Sequence, residues 1–132
     1  MTEEARTLET RETPFYSAYL RSDGIVHFVV KEIKDYSIEM VKSQDDLLKE
    51  FGQGKALPVI LSFTKFIHQN DETNKYAATK GNLKHTKAIA LVVPSVALRL
   101  GGNFYLTFFK PKISTRIFNS EPDATKWLRK FI

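Results

Sequence analysis

Apolar and polar positions change their period along the chain, and each change marks an element. Within residues 25–31, Val26, Phe28 and Val30 fall on one side and Ile25, His27, Val29 and Lys31 on the other, the alternation of a half-buried strand. Residues 15–20 form a second β-rich run. The intervening Arg21-Ser22-Asp23-Gly24 carries an Asp-Gly pair whose positive φ suits a tight antiparallel hairpin. From Ser37 the period becomes helical. Ile38, Val41, Leu48 and Phe51, with Met40 and Leu47 beside them, make one apolar stripe to about residue 51, behind a serine able to cap the first turn. Gly52 and Gly54 end it. Residues 58–63 are a nearly continuous apolar run, the pattern of a strand buried on both faces, and Pro58 is tolerable as its first residue.

The second half alternates more regularly. Asn70 or Asp71 can cap a shorter helix to about residue 79, with Tyr76, Ala77 and Ala78 as its apolar surface and Gly81 as its stop. Residues 87–93 read as the most buried strand, and Pro94-Ser95 as a strand-to-helix turn. In the helix that follows, Ala97, Leu100, Phe104 and Phe108 share a face. Gly101-Gly102 interrupts this helix at about 1 kcal/mol each against alanine. Residues 112–118 alternate again as a last strand. Ser120 then caps a terminal helix with Pro122 in its first turn and Ala124, Trp127, Leu128 and Phe131 facing inward. The order β-β-α-β-α-β-α-β-α is an α/β class with crossover connections to parallel neighbours. The expected architecture is a single mixed sheet, opened by a β-hairpin and covered by helices.

Residues 1–13 hold Glu3, Glu4, Glu9 and Glu12 with no consistent period, and read as a flexible acidic N-terminal arm outside a single domain at 14–132. A chain of 132 residues with 42% hydrophobic and 27% charged residues is expected to bury one core. The absence of cysteine removes thiolate nucleophiles, disulfides and cysteine metal sites, and suits a reducing cytosol. No basic, apolar leader opens the chain, and the longest apolar stretch, 88–98, falls far short of the ~20 residues that span a bilayer. The expectation is a cytoplasmic protein without a transmembrane segment.

The net charge is +5, and no acid lies between Glu72 and Glu121 while Lys75, Lys80, Lys84, Lys87, Arg99, Lys110, Lys112 and Arg116 all do. One-signed surfaces attract anionic partners. The favoured reading, however, balances these bases in space with Glu32, Asp35, Glu39, Asp45, Asp46 and Glu50, which argues against nucleic acid.

His27, His68 and His85 lack metal-ligand spacing, and no serine sits in a nucleophile elbow. His27 reads as a polar residue on the outer strand face. No catalytic residue, metal or cofactor is assigned. Gly101-Gly102 lies inside a helical pattern rather than between strand and helix, so it matches no nucleotide-binding fingerprint. It reads either as close helix-on-sheet packing or as a thin wall beside a pocket lined by Phe104, Tyr105 and Phe108. Phe104 and Phe108 align on one side of the helix and Tyr105 and Phe109 beside them, so one side is either core or an exposed partner surface.

The hairpin start, residues 58–63, residues 87–93 and the run 102–112 together resemble a STAS-type protein, more narrowly the SpoIIAA-like group of small bacterial proteins. The C-terminal signature is Gly102-Asn103-Phe104, then Lys110-Pro111, the strand at 113–118, and Trp127-Leu128. The resemblance covers about residues 14–132. It implies a non-catalytic regulatory or protein-interaction module with an unknown protein partner. In the wider family a serine following an aspartate at a helix start is a phosphorylation switch. The matching place here, residues 69–73, has no serine and offers only Thr73. Asp71 and Glu72 would crowd a phosphate there and suit the helix N-terminus structurally. The expected function is therefore such an interaction module, with Gly101, Gly102, Phe104, Tyr105 and Phe108 as its ligand or partner surface. The alternative is a carrier or sensor of a small apolar or lipid-like ligand. A homodimer through a sheet edge or the aromatic helix is the assembly these features suggest.

Overall fold

The computed structural model describes residues 5–132 except 66, 82 and 94; Glu3, Glu4 and the expected turn residue Pro94 lie outside the described residues. The elements are β1 (Thr7–Glu12), β2 (Tyr16–Arg21), β3 (Val26–Val30), α1 (Ile38–Gly52), β4 (Leu57–Ser62), α2 (Asp71–Thr79), β5 (Thr86–Val92), α3 (Val96–Phe109), β6 (Ser114–Phe118) and α4 (Glu121–Leu128), followed by a 3-10 turn at Arg129–Phe131. Among the described residues the strands form one six-stranded mixed sheet in sequential order. β1, β2 and β3 pair antiparallel, and β3 to β6 run parallel.

Local chemistry sets most boundaries. Gly24 turns the β2–β3 hairpin at φ 87°, and the Asp23 carboxylate accepts from the Ile25 amide at 3.2 Å. Each helix starts on a side-chain cap: Ser37 accepts from the Met40 amide, Asn70 from Thr73, Ser95 from Leu98 and Ser120 from Asp123.

Each step from β3 to β6 moves one strand in the same direction, so right-handed crossovers place α1, α2 and α3 on the same face of the sheet. The contacts agree. Leu47 and Leu48 of α1 pack with Tyr16, Ala18, Val26, Phe28 and Val59. Val41 packs with Val30, Leu61, Phe63 and the α2 residue Ala77. α3 meets Ile117 of β6. α4 covers the opposite face alone, where Ala124 and Leu128 pack with Ile25, Ile60, Ala88, Ala90 and Val92.

One expectation changes, and one open alternative is decided. The arm at 1–13 is not free throughout: residues 7–12 are β1, paired with β2 and almost wholly exposed. A strand with no buried face leaves no alternation to read. β1 is held by its ladder, by Thr13, whose hydroxyl accepts from the Phe15 and Tyr16 amides, and by ion pairs of Arg11 with Glu9 and Glu50. The second concerns α3, where the sequence left core and exposed surface open. Val96, Leu100, Phe104 and Phe108 are 77%, 65%, 51% and 69% exposed, while Tyr105 and Phe109 turn partly inward. A helix apolar all round offers no period from which its inner face can be chosen.

Candidate functional site: the cavity under the third helix

None of the residues of α3 is fully buried, although it lies over an apolar sheet face. Gly102 brings the helix close to β6, since a Cβ there would meet Ile117 Cδ1 at 2.8 Å. Elsewhere a gap remains, and Ile89 and Leu91 of β5 stay half-buried beneath it. The gap is a cavity of about 320 Å³. Its floor is Leu61, Ile89 and Leu91, its roof Leu98, Gly101, Gly102 and Tyr105, and its far wall Val41 and Gln44 of α1 with Ala77 of α2. Asp71 and Asn74, at the start of α2, stand at its edge with His68.

The polar groups within it are few. Tyr36, buried on the loop before α1, donates its hydroxyl hydrogen to Gln44 Oε1 at 2.6 Å, and burial pushes its phenol well above the ordinary range. Gln44 is itself buried, and its Nε2 has no partner. On the roof, burial pushes the Tyr105 phenol up to about 12, so both tyrosines are neutral hydrogen-bonding groups at neutral pH.

The structure divides the expected site residues. Gly101, Gly102, Phe104 and Tyr105 all line the cavity. Phe108 is not among its lining residues: it stacks on Phe104 at 4.3 Å between centroids on the exposed side. Thr73, the one hydroxyl at the place of the family's phosphorylation switch, sits inside the first turn of α2. Thr73 is 3% exposed and its amide donates to the Asn70 cap at 2.8 Å, so a kinase would have to unwind the first turn of α2 to reach it. Tyr36 and Gln44 went unread because one lies in a loop and the other is a single polar residue among charged neighbours. Gln44 does stand three residues after Val41, on the stripe of α1, and a polar residue on a buried stripe was the available signal.

Residues 19–132 match a family described as a domain of unknown function, DUF7793. The chain belongs to the DUF7793 family. The match contains every lining residue of the cavity and leaves β1 outside. A solved crystal structure of a protein with unknown function from Arthrobacter sp. FB24, at 2.20 Å, is similar to this chain at 19% identity and a TM-score of 0.30, over 84% of this chain and 90% of that one. No curated protein matches the chain.

The DUF7793 domain gathers a second polar group on the α4 face. His27 is not on an outer face as expected: its side chain is 13% exposed. Its Nε2 lies 2.6 Å from Ser62 Oγ and its Nδ1 3.6 Å from Glu121 Oε1. Arg21 joins Glu121, Thr125 and Asp23 beside it. Burial holds the imidazole below its ordinary pKa, with Glu121 opposing and Arg21 adding to the shift. The order serine–imidazole–carboxylate resembles a hydrolytic triad. The carboxylate contact is long, however, and Glu121 is shared with Arg21, so the arrangement accounts for itself as a polar tie between β2, β3, β4 and α4. Among the described residues no group of histidine, aspartate and glutamate is placed to hold a metal ion, and no helix is long and apolar enough to cross a membrane.

Proposed function

We propose that this DUF7793 protein is a non-catalytic binding module whose working site is the cavity under α3, and that it takes a small, mostly apolar ligand as a carrier or sensor. The observation that carries the reading is a roof helix with no buried residue above an apolar floor, enclosing about 320 Å³. A dry cavity of about 150 Å³ already binds benzene, and ligand sites commonly start near 300 Å³. The volume here suits a fused two-ring molecule or a branched chain of similar bulk.

The experiment is fluorescence titration with the neutral dye N-phenyl-1-naphthylamine. One saturable site is expected, weakened at least tenfold by Leu98→Trp, which fills the cavity from its roof. Binding that Leu98→Trp leaves unchanged would refute the reading. The double variant Leu100→Gln, Phe108→Gln controls for dye on the outer face of α3, and should leave the saturable site in place.

That outer face supports a second reading, in line with the STAS-type resemblance. Val96, Leu100, Phe104 and Phe108, four residues apart, form an uncharged exposed stripe, more contiguous apolar surface than a lone exposed leucine. A straight stripe of this kind is complementary to itself about a two-fold axis, so the partner we propose is a second copy of the chain. Sedimentation equilibrium should show a dimer that the Leu100→Gln, Phe108→Gln variant reduces to monomer; a monomer at all accessible concentrations would remove this reading.

A further inference from the structure

We propose that the end of the sheet from which β4, β5 and β6 start docks on an anionic lipid bilayer surface. This goes beyond the ligand reading and does not rest on it. The loops that lead from α1 to β4, from α2 to β5 and from α3 to β6 lie side by side at that end, because the three strands are parallel neighbours and each helix returns the chain to the same edge. Backbone bonds tie the loops to their neighbours: the Leu57 amide donates to the His85 carbonyl at 3.0 Å, and the Lys112 amide to the Ala78 carbonyl at 2.9 Å. Each return carries two lysines, Lys49 and Lys55, Lys80 and Lys84, Lys110 and Lys112. All six are exposed, and among the described residues none enters an ion pair. The negative end of the helix dipole accounts for Lys49, Lys80 and Lys110, which stand at last turns or caps. Its effect reaches no further than the last turn, and leaves Lys55, Lys84 and Lys112 unexplained.

Acids do not balance this end. Glu32 and Asp35, on the loop after β3, and Glu39, in the first turn of α1, lie at the opposite edge, roughly 20 Å away along the six residues of β4. That exceeds twice the Debye length of about 8 Å at physiological ionic strength, so they offset little of the charge. Of the acids nearer the lysines, Asp23 and Glu50 are ion-paired to Arg21 and Arg11. Asp45 lies within electrostatic reach of Lys49 and Lys84, with Asp46 beside it. Six lysines against two such carboxylates leave a positive face that an anionic partner fits. Its composition favours lipid over nucleic acid. No arginine, phenylalanine, tyrosine or tryptophan lies in residues 53–56, 80–85 or 110–113, so the forked and stacking contacts typical of nucleic-acid recognition are missing, whereas lysine suits a headgroup phosphate as a point charge. Leu83, 38% exposed between Lys80 and Lys84, supplies an apolar side chain that a bilayer takes into its interface and a hydrated phosphate backbone does not.

The test is co-sedimentation of the full chain with sucrose-loaded vesicles of phosphatidylcholine alone, and of phosphatidylcholine with about one part in three of phosphatidylglycerol. Binding is expected to the anionic vesicles only, and to weaken as salt is raised from about 0.1 to about 0.5 M. The variant Lys55→Gln, Lys80→Gln, Lys112→Gln, with one change on each loop, should bind about tenfold more weakly or worse, since each lysine near such a surface contributes roughly fivefold. The variant Lys31→Gln, Lys34→Gln, Lys65→Gln removes the same charge from the opposite edge and should stay within about twofold of the unaltered chain. Leu83→Ser should weaken binding about fivefold through the lost apolar insertion. No binding to the anionic vesicles, or equal losses in the two triple variants, would overturn the proposal. So would tighter binding to a DNA duplex than to the vesicles, unmoved by Leu83→Ser, which would reassign the lysine face to nucleic acid. Should the loop variant fail to fold, the two vesicle compositions and the salt dependence decide the matter in the unaltered chain, equal binding to both compositions overturning it.

Discussion

A methyl group added at Gly102 would meet Cδ1 of Ile117 at 2.8 Å, whereas one added at Gly101 meets nothing within 4 Å. The helix-propensity cost of the pair is thus offset by close packing at Gly102 and by nothing at Gly101. Gly101→Ala should stabilise the protein by about 0.5–1 kcal/mol, seen as a rise in Tm of about 3 °C; a fall would mean that α3 departs from regular helix at that point. A second single-residue effect is set by His27, whose folded pKa lies below the ordinary 6.5 because the ring is buried. As pH falls through 6.5 the unfolded chain takes up the proton before the folded one does. The unfolded state is then favoured, so the contribution to stability is complete above that value and is lost below it. The urea midpoint should therefore fall between pH 7.5 and pH 5.5, and fall less in His27→Gln. Parallel profiles for the two proteins would contradict the placement of His27 between Ser62 and Glu121.

At the scale of elements, α4 shows what burial adds to a sequence pattern. Ala124, Trp127, Leu128 and Phe131 do face the sheet, but Leu128 is fully buried whereas Trp127 is only partly so, held between the rings of Phe118 and Phe131 at 5.6 and 5.1 Å. A fully buried tryptophan would cost about 3–5 kcal/mol on truncation to alanine. The exposed part of this one lowers the expectation to about 2 kcal/mol, and Leu128→Ala, at about 2–5 kcal/mol, should equal or exceed it in chemical denaturation. Helix starts were legible because a cap is a local chemical fact: Ser37, Asn70, Ser95 and Ser120 each accept from an amide three residues on. Strands with one apolar face, such as β3, were legible for the same reason. The inner face of α3 was not, because Leu98, Leu100, Phe104, Tyr105, Phe108 and Phe109 surround the helix and only tertiary packing selects among them. Half of the candidate site followed from the sequence, namely the α3 residues that form its roof. The other half is Tyr36 and Gln44, joined across eight residues of chain by a contact that no periodicity encodes.

For the whole molecule, the handedness of the crossovers decides where a cavity can form. Three helices must share one face, and α4 is left to close the other. On the α4 side small residues, Ala88, Ala90 and Ala124, allow close contact and are completely buried. On the three-helix side the larger Leu61, Ile89 and Leu91 lie under a roof that touches down chiefly at Gly102. The antiparallel end of the sheet answers a different need. β1 buries almost nothing, so it adds little hydrophobic stabilisation, yet its charged, exposed residues stand between solvent and β2, whose Tyr16 and Ala18 belong to the core. A sheet edge exposed in this way pairs readily with another chain unless it is charged, short or covered. Removing residues 1–14 should therefore leave the domain folded, with the backbone ladder to β2 lost for a destabilisation of about 1–3 kcal/mol. It should also make the shortened protein self-associate through β2, with a weight-average mass that rises with concentration beyond that of the untruncated chain in light scattering and returns to that chain's value in Ser17→Lys, on the newly exposed strand. If the shortened protein associates no further than the untruncated chain at high concentration, the edge of β2 is protected by something other than β1.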